Sequence, residues 1–503
     1  MGEATHAPAP RPQRLVSPCT RDCPAGIDVT RYIGYIVQGK FEEAEAVVRE
    51  HNPFPAVCGQ VCYRPCETGC RRGTLDAPVQ VNALKRAAVQ RSTGKVWRER
   101  WKDSIAPSTG KRVAVVGSGP AGLTAAYYLG KVCGHDVTVF ESEPKPGGQL
   151  RIGIPDYRLP DAILEREIAI ATETRVQIRC SAPVTSVEDL LKQGYDAVFV
   201  ATGAIKPYTL GAPGEELPGV IECVDLLRDV GLGKKPRLGL RVAIVGGGNV
   251  AMDGARTALR LGAGEVVVLY RRTRKEMPAH GFEVATAEAE GVQLHFLVAP
   301  IKVERAGERL RLTLQQMQLG EPDSSGRRRP VPIPGAVSAL DVDQLLLAIG
   351  QGPDIPAEWG LELTRGGNIV VKDSTPGTSR PGVFAAGDVV TGPVSVIAAI
   401  AGGRRAAEAI DKYLGGDGDI SEALAPTGDE LQYPPEFQPT GTMPYRMAEL
   451  PVGERIHSFD EVELGLTDEQ ALAEARRCLR CDLWRIHGVP EIWRSKKGAR
   501  VGE

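Results

Sequence analysis

Eight of the eleven cysteines fall into three short clusters whose spacing is typical of metal ligands. The first is Cys19-x3-Cys23, which is followed by Pro24, and the last is a C-x2-C pair near the C-terminus. Between them lies a block of four cysteines, each separated from the next by three residues. A spacing near one helical turn lets successive thiolates share a metal centre. The block consists of Cys58, Cys62, Cys66 and Cys70, and the C-terminal pair consists of Cys478 and Cys481.

Two [4Fe–4S] clusters would use all eight thiolates. In bacterial two-cluster ferredoxins the ligands follow the pattern C-x2-C-x2-C-x3-C-P. Here Cys478-x2-Cys481 resembles the first half of that pattern, and Cys19-x3-Cys23-Pro24 resembles the second half. Zinc is the alternative metal, because it also binds sets of four cysteines, usually in paired short spacings. The three successive gaps of three residues and the Cys-Pro pair favour iron–sulfur clusters.

The composition is that of an ordinary globular protein of 503 residues, with 42% hydrophobic residues and a formal net charge of -2. This balance gives no drive toward nucleic acid, and no long apolar run indicates a transmembrane helix. Residues 1–14 are rich in proline and alanine, so we expect a flexible tail rather than a secretory signal. We therefore expect a cytoplasmic protein, since clustered cysteines in a reducing compartment bind metals rather than form disulfides.

A glycine-rich turn, Gly117-Ser118-Gly119-Pro120-Ala121-Gly122, lies between a predicted strand at 113–116 and a predicted helix at 121–129. The first glycine permits the tight turn, the second lets the backbone approach a pyrophosphate, and the third allows close helix–strand packing. The free N–H groups at the start of the helix would bind the phosphates. Glu141 follows the next predicted strand, at 137–140, where its carboxylate can accept hydrogen bonds from ribose hydroxyls.

A second glycine-rich turn, Gly246-Gly247-Gly248-Asn249-Val250-Ala251, repeats this pattern between a predicted strand at 242–245 and a predicted helix at 249–261. The following strand ends at Tyr270, and Arg271 and Arg272 stand where an acidic residue would favour the unphosphorylated ribose. Arginine side chains bind a 2′-phosphate well, so the sequence favours NADPH over NADH. The alternative is that both arginines belong to a solvated cluster at the strand end.

Two further motifs, Ala201-Thr202-Gly203 and Gly387-Asp388, end later predicted strands. Together with the two turns they resemble the pyridine-nucleotide-dependent flavoproteins that have two dinucleotide-binding domains, over residues 111–412. The resemblance implies that the first turn binds FAD, that the second binds NAD(P), and that Asp388 binds the ribityl or phosphate part of the flavin. Many of these flavoproteins carry a redox-active cysteine pair beside the flavin. The cysteines of this region are isolated from one another, namely Cys133, Cys180 and Cys223. Electrons leaving the flavin therefore need another route.

Six other segments narrow the resemblance. They are NPFP at 52–55, CGQVC at 58–62, PVQVNALKR at 78–86, PGGQL at 146–150, GIPDYRLP at 153–160 and YRRTRKEMPA at 270–279. With the cysteines, they resemble the glutamate synthase small subunit, whose iron–sulfur module also occurs in dihydropyrimidine dehydrogenase and in the large subunit of NADH-dependent ferredoxin:NADP oxidoreductase. The remaining candidate cofactor-binding residues are Gly148, Gln149 and Leu150 of PGGQL, and Gly350 after the predicted strand at 345–349.

The chain departs from this family at two points. In much of the family the C-x2-C pair precedes the Cys-Pro pair, whereas here the C-terminus must fold back onto residues 19–70 to deliver it. The family often uses Gln or Glu as one cluster ligand, and the matching residue here is Lys85, which cannot ligate in its charged form. Our hypothesis is that Cys58 supplies the missing ligand. One cluster would then use Cys19, Cys70, Cys478 and Cys481, and the other would use Cys23, Cys58, Cys62 and Cys66.

Strands that alternate with helices predict an α/β fold with two Rossmann-like dinucleotide-binding domains, preceded by a helical iron–sulfur domain. The NAD(P) domain is expected to be inserted in the FAD domain. Helix caps are predicted at Asp28 and, as part of a capping box, at Thr467. The expected bounds are a tail at 1–14, the [4Fe–4S] domain at 15–107, the FAD-binding domain at 108–240 and 335–415, the NAD(P)-binding domain at 241–334, and a C-terminal extension at 416–503.

These features predict an NAD(P)H-dependent oxidoreductase subunit that passes electrons between NAD(P)(H), FAD and two [4Fe–4S] clusters, in either direction. Hydride transfer to a flavin requires no acid–base side chain, so no catalytic residue is named. The expected partner in a hetero-oligomer is a glutamate synthase large subunit, a ferredoxin or another metalloenzyme, and not a nucleic acid. Two alternatives stay open: a stand-alone NAD(P)H-dependent flavin reductase that acts on a small molecule, and a non-enzymatic scaffold with relic cofactor sites.

Overall fold

The computed structural model of the chain describes residues 14–323, 326–372 and 375–497, and it divides into two compact units. The first, which we call the cysteine unit, comprises Met1–Ser104, Ser421–Ala448 and Gly465–Glu503. The second, which we call the two-sheet unit, comprises Ile105–Ile420 and Glu449–Leu464. Nearly all of the expected tail at 1–14 lies outside the described residues. Within the described ranges, no helix is both long enough and apolar enough to cross a bilayer.

The cysteine unit consists of short helices, and two of them begin at the predicted caps. The carboxylate of Asp28 accepts the N–H of Arg31, and the Thr467 hydroxyl accepts the N–H of Gln470 in a complete capping box. The helices are Pro18–Arg21, Val29–Val37, Phe41–Arg49, Pro55–Val61, Pro65–Thr68, Val81–Arg91, Lys95–Asp103, Asp468–Ala475, Trp484–His487 and Glu491–Lys497, with 3-10 turns at Arg71–Thr74 and Cys481–Leu483.

Buried ion pairs hold the C-terminal segment against the N-terminal segment inside this unit. The Arg477 side chain, which is 0% exposed, bonds to Asp76 at 3.0 Å and to Glu474 at 2.7 Å. Arg72 reaches the same Asp76 carboxylate with two hydrogen bonds, of 2.8 and 2.7 Å. The C-terminus therefore folds back as the cysteine spacing requires.

The first sheet of the two-sheet unit has five strands, and every neighbouring pair is parallel. Its central strands are continuous apolar runs because helices cover both faces. The strand order is Val383–Ala385, Ala197–Val200, Arg112–Val116, Asp136–Phe140 and Val176–Arg179. The helices of this region are Pro120–Tyr127, Gln149–Ile152, Asp161–Ala171, Val187–Lys192, Asp388–Thr391 and Val396–Tyr413, with a π-helical turn at Tyr128–Val132.

The second sheet is also parallel, and it extends beyond the expected bounds of 241–334. The strand Gln344–Leu347, expected in the second part of the FAD domain, pairs instead with Arg241–Val245. The strand Val220–Glu222, expected in the first part, pairs with Gln344–Leu347. A short strand that is apolar throughout carries no periodic signal for the sheet that it joins, which explains both differences. The order is Val220–Glu222, Gln344–Leu347, Arg241–Val245, Glu265–Tyr270 and Gln293–Phe296.

A three-stranded antiparallel sheet, which the sequence did not reveal, lies between the last two strands of the second sheet along the chain. Its strands are Val298–Ala306, Arg309–Pro322 and Arg328–Val342. The helices of the second sheet are Cys223–Gly231, Asn249–Arg260 and Gly281–Ala289. The remaining short elements are Lys206–Pro207, Arg274–Glu276, Gln351–Gly352, Ala357–Trp359, Ala448–Glu449, Val452–Arg455 and Glu463–Gly465.

Cys133 and Cys223 have the structural surroundings that their isolation suggests. Cys133 lies beside His135 and Asp411, and the His135 Nε2 atom is 3.0 Å from the Asp411 carboxylate. The Asp411 carboxylate also accepts the N–H of Gly418 at 2.8 Å, which ties the end of helix Val396–Tyr413 to its following loop. Cys223 is fully buried in the second sheet's core. Both cysteines serve packing and hydrogen bonding.

We predict that Arg477→Met lowers the free energy of unfolding of the cysteine unit by about 3–5 kcal/mol, because it removes the arginine that pairs with the buried Glu474 and one of the two arginines that pair with Asp76. Chemical denaturation, followed by tryptophan fluorescence, measures the change. The control is Arg21→Met, which breaks a surface ion pair with Asp22 and is expected to change stability by less than about 1 kcal/mol. Equal effects of the two substitutions would contradict the role given to Arg477.

Candidate functional site

Electrostatic contacts divide the eight clustered thiols into two groups of four. Cys19 interacts with Cys70, Cys478 and Cys481, and we call this set thiol group A. Cys58 and Cys66 both interact with Cys23 and Cys62, and we call this set thiol group B. Seven of the eight cysteines are buried, and Cys70 is half-buried. The two sets have the membership that the sequence analysis expected for two clusters.

Two loops that carry these thiols contain an arginine in the left-handed region of backbone conformation. Arg64, between Cys62 and Cys66, has φ of 66°, and Arg480, between Cys478 and Cys481, has φ of 46°. Such a conformation is uncommon for residues other than glycine and concentrates at functional sites. At Arg480 it directs the backbone N–H toward the Cys478 sulfur, at 3.5 Å. Neither bend could be predicted from the sequence, because arginine is not a typical left-handed residue.

Thiol group A is surrounded by hydrogen-bond donors. The Ser17 hydroxyl lies 3.1 Å from the Cys19 sulfur, and the Arg71 side chain bonds to Cys481. Burial raises the pKa of the Cys481 thiol to about 12, although the Arg71 charge and hydrogen bond act in the opposite direction. The sulfur of Cys70 accepts backbone N–H bonds from Val79, Arg72 and Gly73. These donors are placed to stabilise thiolates once a metal has displaced the thiol protons.

Thiol group B contains a buried ammonium group. Lys85 is 6% exposed and interacts with all four thiols of the group, and the Asn52 side chain bonds to Cys58. Burial raises the pKa of the Cys58 thiol to about 12, and the Lys85 charge is the largest effect that opposes burial. Four sulfur donors in one closed, buried set fit the ligand requirement of a [4Fe–4S] cluster. Lys85 therefore lies beside a complete donor set.

The first glycine-rich turn has two kinds of glycine. A Cβ at Gly117, whose φ is +102°, would lie 2.5 Å from the Ala201 carbonyl oxygen, and one at Gly122 would lie 2.0 Å from the Gly117 carbonyl oxygen. These two glycines are required by packing within the protein. At Gly119 and Gly203 a Cβ would meet nothing within 4 Å. The open space at these two positions fits the close approach of a bound pyrophosphate.

Glu141 holds the shape of this turn. Its carboxylate accepts the N–H of Ser118 at 3.0 Å and the N–H of Glu143 at 2.8 Å, and it also accepts the Ser118 hydroxyl. The Ser118 hydroxyl in turn accepts the N–H of Gly147 at 3.0 Å. A Cβ at Gly148 would lie 2.8 Å from the Gly119 Cα, so the segment that continues through Gln149 and the buried Leu150 packs against the turn.

Buried polar groups follow other strands of the first sheet. The Thr202 hydroxyl is buried and has no hydrogen-bond partner in the described part of the chain. Asp388, which directly follows Gly387, is half-buried, and desolvation raises the pKa of its carboxyl to about 6 despite an N–H bond from Val394. Because the carboxyl ends of parallel strands lie at one edge of a sheet, both residues lie on the edge that carries the first turn. The unsatisfied Thr202 hydroxyl and the Asp388 carboxyl at this edge fit a polar cofactor such as FAD.

The second glycine-rich turn also has one glycine that packing requires and one that lies beside open space. A Cβ at Gly246, whose φ is +149°, would lie 2.2 Å from the Ala348 carbonyl oxygen, whereas at Gly248 the nearest atom would be 3.9 Å away, in Pro278. The Asn249 side chain accepts the N–H of His280 at 3.0 Å, and the helix that begins at Asn249 continues through Val250 and the buried Ala251. Gly350 has φ of +110°, beside the Tyr208 ring.

The two arginines after Tyr270 have different surroundings. Arg272 is buried, and its guanidinium donates to the Asp323 carboxylate at 2.7 Å and to the Arg328 carbonyl at 2.8 Å. Arg271 is exposed. Arg272 thus fastens the second sheet to the antiparallel sheet, which leaves the exposed Arg271 as the candidate for contact with a 2′-phosphate. The sequence treated the two alike, because adjacent arginines give no indication of which one is buried.

Family comparisons agree with this geometry. Residues 111–403 match the family described as pyridine nucleotide-disulphide oxidoreductase, and residues 12–97 match the family described as dihydropyrimidine dehydrogenase domain II, 4Fe-4S cluster. The chain belongs to the pyridine nucleotide-disulphide oxidoreductase family. Within that family it combines FAD and NADP(H) sites with a helical 4Fe–4S domain, as the sequence predicted. It is therefore an NAD(P)H-dependent oxidoreductase.

The chain is similar to subunits of larger enzymes. It is 43% identical to the NADP(+)-dependent formate dehydrogenase subunit beta of Moorella thermoacetica, over 93% of this chain and 71% of that protein. It is 38% identical to the NADPH-Fe(3+) oxidoreductase subunit beta of Geobacter sulfurreducens, over 93% of this chain and 75% of that protein. It is 34% identical to the glutamate synthase [NADPH] small chain of Halomonas elongata, over 79% of this chain and 88% of that protein. The predicted resemblance to the glutamate synthase small subunit is confirmed.

A solved structure shows the same fold. FprA of Mycobacterium tuberculosis, in complex with NADPH, aligns with a TM-score of 0.52 and 22% identity over 64% of this chain and 88% of that chain. At this identity the likeness concerns the fold alone, and it confirms the predicted pair of parallel α/β domains.

We predict that Gly119→Ala lowers the FAD content of the purified protein at least about tenfold, because the new methyl group occupies the open space at the turn. Flavin released per chain, together with circular dichroism as a folding check, measures the effect. Gly281→Ala is the matched control, since a Cβ there also meets nothing within 4 Å and its site lies on another helix. Full FAD content in Gly119→Ala would contradict the assignment of this space to the cofactor.

We predict that Arg271→Glu raises the KM for NADPH at least about tenfold and leaves the KM for NADH nearly unchanged, because only NADPH carries the 2′-phosphate. Steady-state reduction of an artificial acceptor measures both values. Arg365→Glu makes the same charge change at another exposed arginine and should alter neither KM. Equal loss for NADH and NADPH would show that Arg271 does not contact the 2′-phosphate.

Proposed function

We propose that the chain is the electron-transfer subunit of a hetero-oligomeric oxidoreductase and that thiol groups A and B each hold one [4Fe–4S] cluster. The observation that carries the proposal is the division of eight clustered thiols into two closed sets of four, in a chain with two dinucleotide-binding turns. Each set supplies the four cysteine ligands that one cluster requires.

The raised thiol pKa values support metal binding in these groups. Burial raises the pKa values of Cys19, Cys58, Cys66 and Cys478, so without a metal these side chains are neutral thiols packed together. A metal replaces the protons and gives the surrounding donors their acceptors. The Glu67 carboxyl interacts with the buried Lys85 ammonium, and an anionic metal centre in group B would add further compensating charge.

The two-sheet unit binds the organic cofactors through its own backbone and side chains. The turn at Gly117–Gly122 and the N–H groups of the following helix bind the FAD pyrophosphate, while Thr202 and Asp388 offer polar groups at the same sheet edge. The turn at Gly246–Ala251 and Arg271 bind the NADPH phosphates. A flavin held there would supply the conversion between the two-electron hydride chemistry of NAD(P)H and single-electron transfer. Residues of the chain orient both cofactors, and no acid–base residue is assigned.

The partner subunit supplies the substrate chemistry. Formate dehydrogenase subunit beta, NADPH-Fe(3+) oxidoreductase subunit beta and glutamate synthase small chain are names of three relatives that serve three different substrates. What they share with this chain is the nucleotide and iron–sulfur apparatus, so the substrate belongs to the other subunit. Group A contains Cys70, the half-buried cysteine of the eight, and is the group from which electrons pass to a partner. We also propose a cytoplasmic location, because clustered cysteines that bind metal need a reducing compartment.

Iron content tests the two-cluster proposal. We predict that anaerobically purified protein holds about eight iron and eight sulfide per chain and that Cys58→Ser reduces both to about four, because group B loses a ligand. Chemical analysis and electron paramagnetic resonance (EPR) of the reduced protein measure the change. Cys180→Ser, at an isolated cysteine outside both groups, should keep the full content.

Three results would contradict the proposal. Zinc in place of iron and sulfide would exclude clusters, and full iron with both EPR signals in Cys58→Ser would exclude Cys58 as a ligand. The proposal expects Cys58→Ser to reduce its flavin with NADPH and to lose electron transfer to the co-purified partner. The third contradicting result is turnover of a small substrate by Cys58→Ser at an unchanged rate, which would indicate a stand-alone reductase.

A further inference from the structure

Lys85 is an unusual neighbour for a metal site. Its side chain is almost completely buried and interacts with the thiols of Cys23, Cys58, Cys62 and Cys66 together. A lysine is rarely buried unless its charge is compensated. The Glu67 carboxyl interacts with Lys85, and a metal centre on the four sulfur atoms would supply further negative charge.

The fold fixes the position of Lys85. Helix Val81–Arg91 carries it, and the Asn82 side chain on the same helix donates to the Gly59 carbonyl at 2.9 Å. The N–H of Asn82 donates to the Glu67 carboxylate at 2.9 Å. A Cβ at Gly59 would lie 3.1 Å from the Arg86 Cα, so the two helices approach closely at this glycine. These contacts hold the Lys85 helix against the helix and loop that carry Cys58, Cys62 and Cys66.

The charge of a cluster in group B explains what Lys85 can do there. Four thiolates carry four negative charges, and an oxidised [4Fe–4S] core carries two positive charges, so the centre has a net charge of about −2. Reduction adds a further negative charge in a site shielded from water. A cation beside the centre stabilises the reduced form more than the oxidised form, because attraction grows with the charge of the centre. Cys58 completes the four ligands, so Lys85 does not need to bind iron.

We propose that Lys85 raises the reduction potential of the cluster in thiol group B through its charge, without ligating iron. This inference rests on the proposed function, because it requires a cluster in group B. It adds a residue that tunes the electron transfer and is not itself a ligand. Group A is tuned by different cations, since Arg480 and Arg71 act on Cys478 and Cys481. A change at Lys85 should therefore affect one centre and spare the other.

The test is an EPR-monitored redox titration of the purified full chain. The signal that disappears in Cys58→Ser identifies the group B cluster. In Lys85→Met, the ratio of reduced to oxidised group B cluster at a fixed solution potential should fall at least tenfold, which corresponds to a midpoint about 59 mV lower for one electron. The midpoint of the group A cluster should stay unchanged.

Two variants serve as controls. Lys85→Arg keeps the charge and should hold the ratio for group B within about threefold of the unsubstituted protein. Lys40→Met removes an exposed lysine of the same unit and should move neither midpoint, because solvent screens its charge. An unchanged group B midpoint in Lys85→Met, with both clusters present, would overturn the proposal.

A loss of the group B cluster in Lys85→Met is resolved by a second neutral variant, Lys85→Leu. If Lys85→Leu retains the cluster, its midpoint decides the question in the same way. If both neutral variants lose group B iron, Lys85 acts in cluster assembly and the proposal is wrong. Failure of the proposed function has a different signature, since the unsubstituted protein would then lack a group B signal and half of its iron.

Discussion

Thiol group A depends on the buried contacts between Arg477 and Asp76. Its four cysteines come from three distant parts of the chain, so no single helix or turn can assemble them. Arg477 lies beside the C-terminal C-x2-C pair, and Asp76 lies just after the N-terminal block. Buried ion pairs are a weak source of net stability, but an unpaired buried charge is strongly unfavourable. We therefore interpret this network as the feature that selects one arrangement of the two segments.

Thiol group B is assembled by different means. Its cysteines lie within residues 23–66, and short helices with a left-handed turn at Arg64 bring them together. The long-range partner is the helix that carries Lys85, which packs on Gly59. Arginine–carboxylate pairs next to the ligands thus organise group A, whereas in group B the buried cation Lys85 lies beside the four thiols. Two centres with different charged surroundings are expected to differ in reduction potential.

Features that depend on local backbone chemistry could be predicted from the sequence. The caps at Asp28 and Thr467 and the two glycine-rich turns follow from residue types at fixed offsets, because backbone geometry admits few residues there. Features that depend on long-range packing could not be predicted. The strand Gln344–Leu347 joins the second sheet through side-chain burial that periodicity does not encode, and Arg272 is buried because an antiparallel sheet supplies Asp323.

The Lys85 position shows why a sequence departure needs a spatial interpretation. Measured against a glutamine ligand, the chain has a lysine at position 85, and Cys58 is our candidate for the fourth ligand of thiol group B. The structure brings both residues to thiol group B, where the thiolate adds one negative charge and the ammonium adds one positive charge. The number of ligands and the sum of charges are then the same as with a neutral ligand. Lys85 and a thiolate ligand at Cys58 would therefore compensate each other's charge in the folded protein.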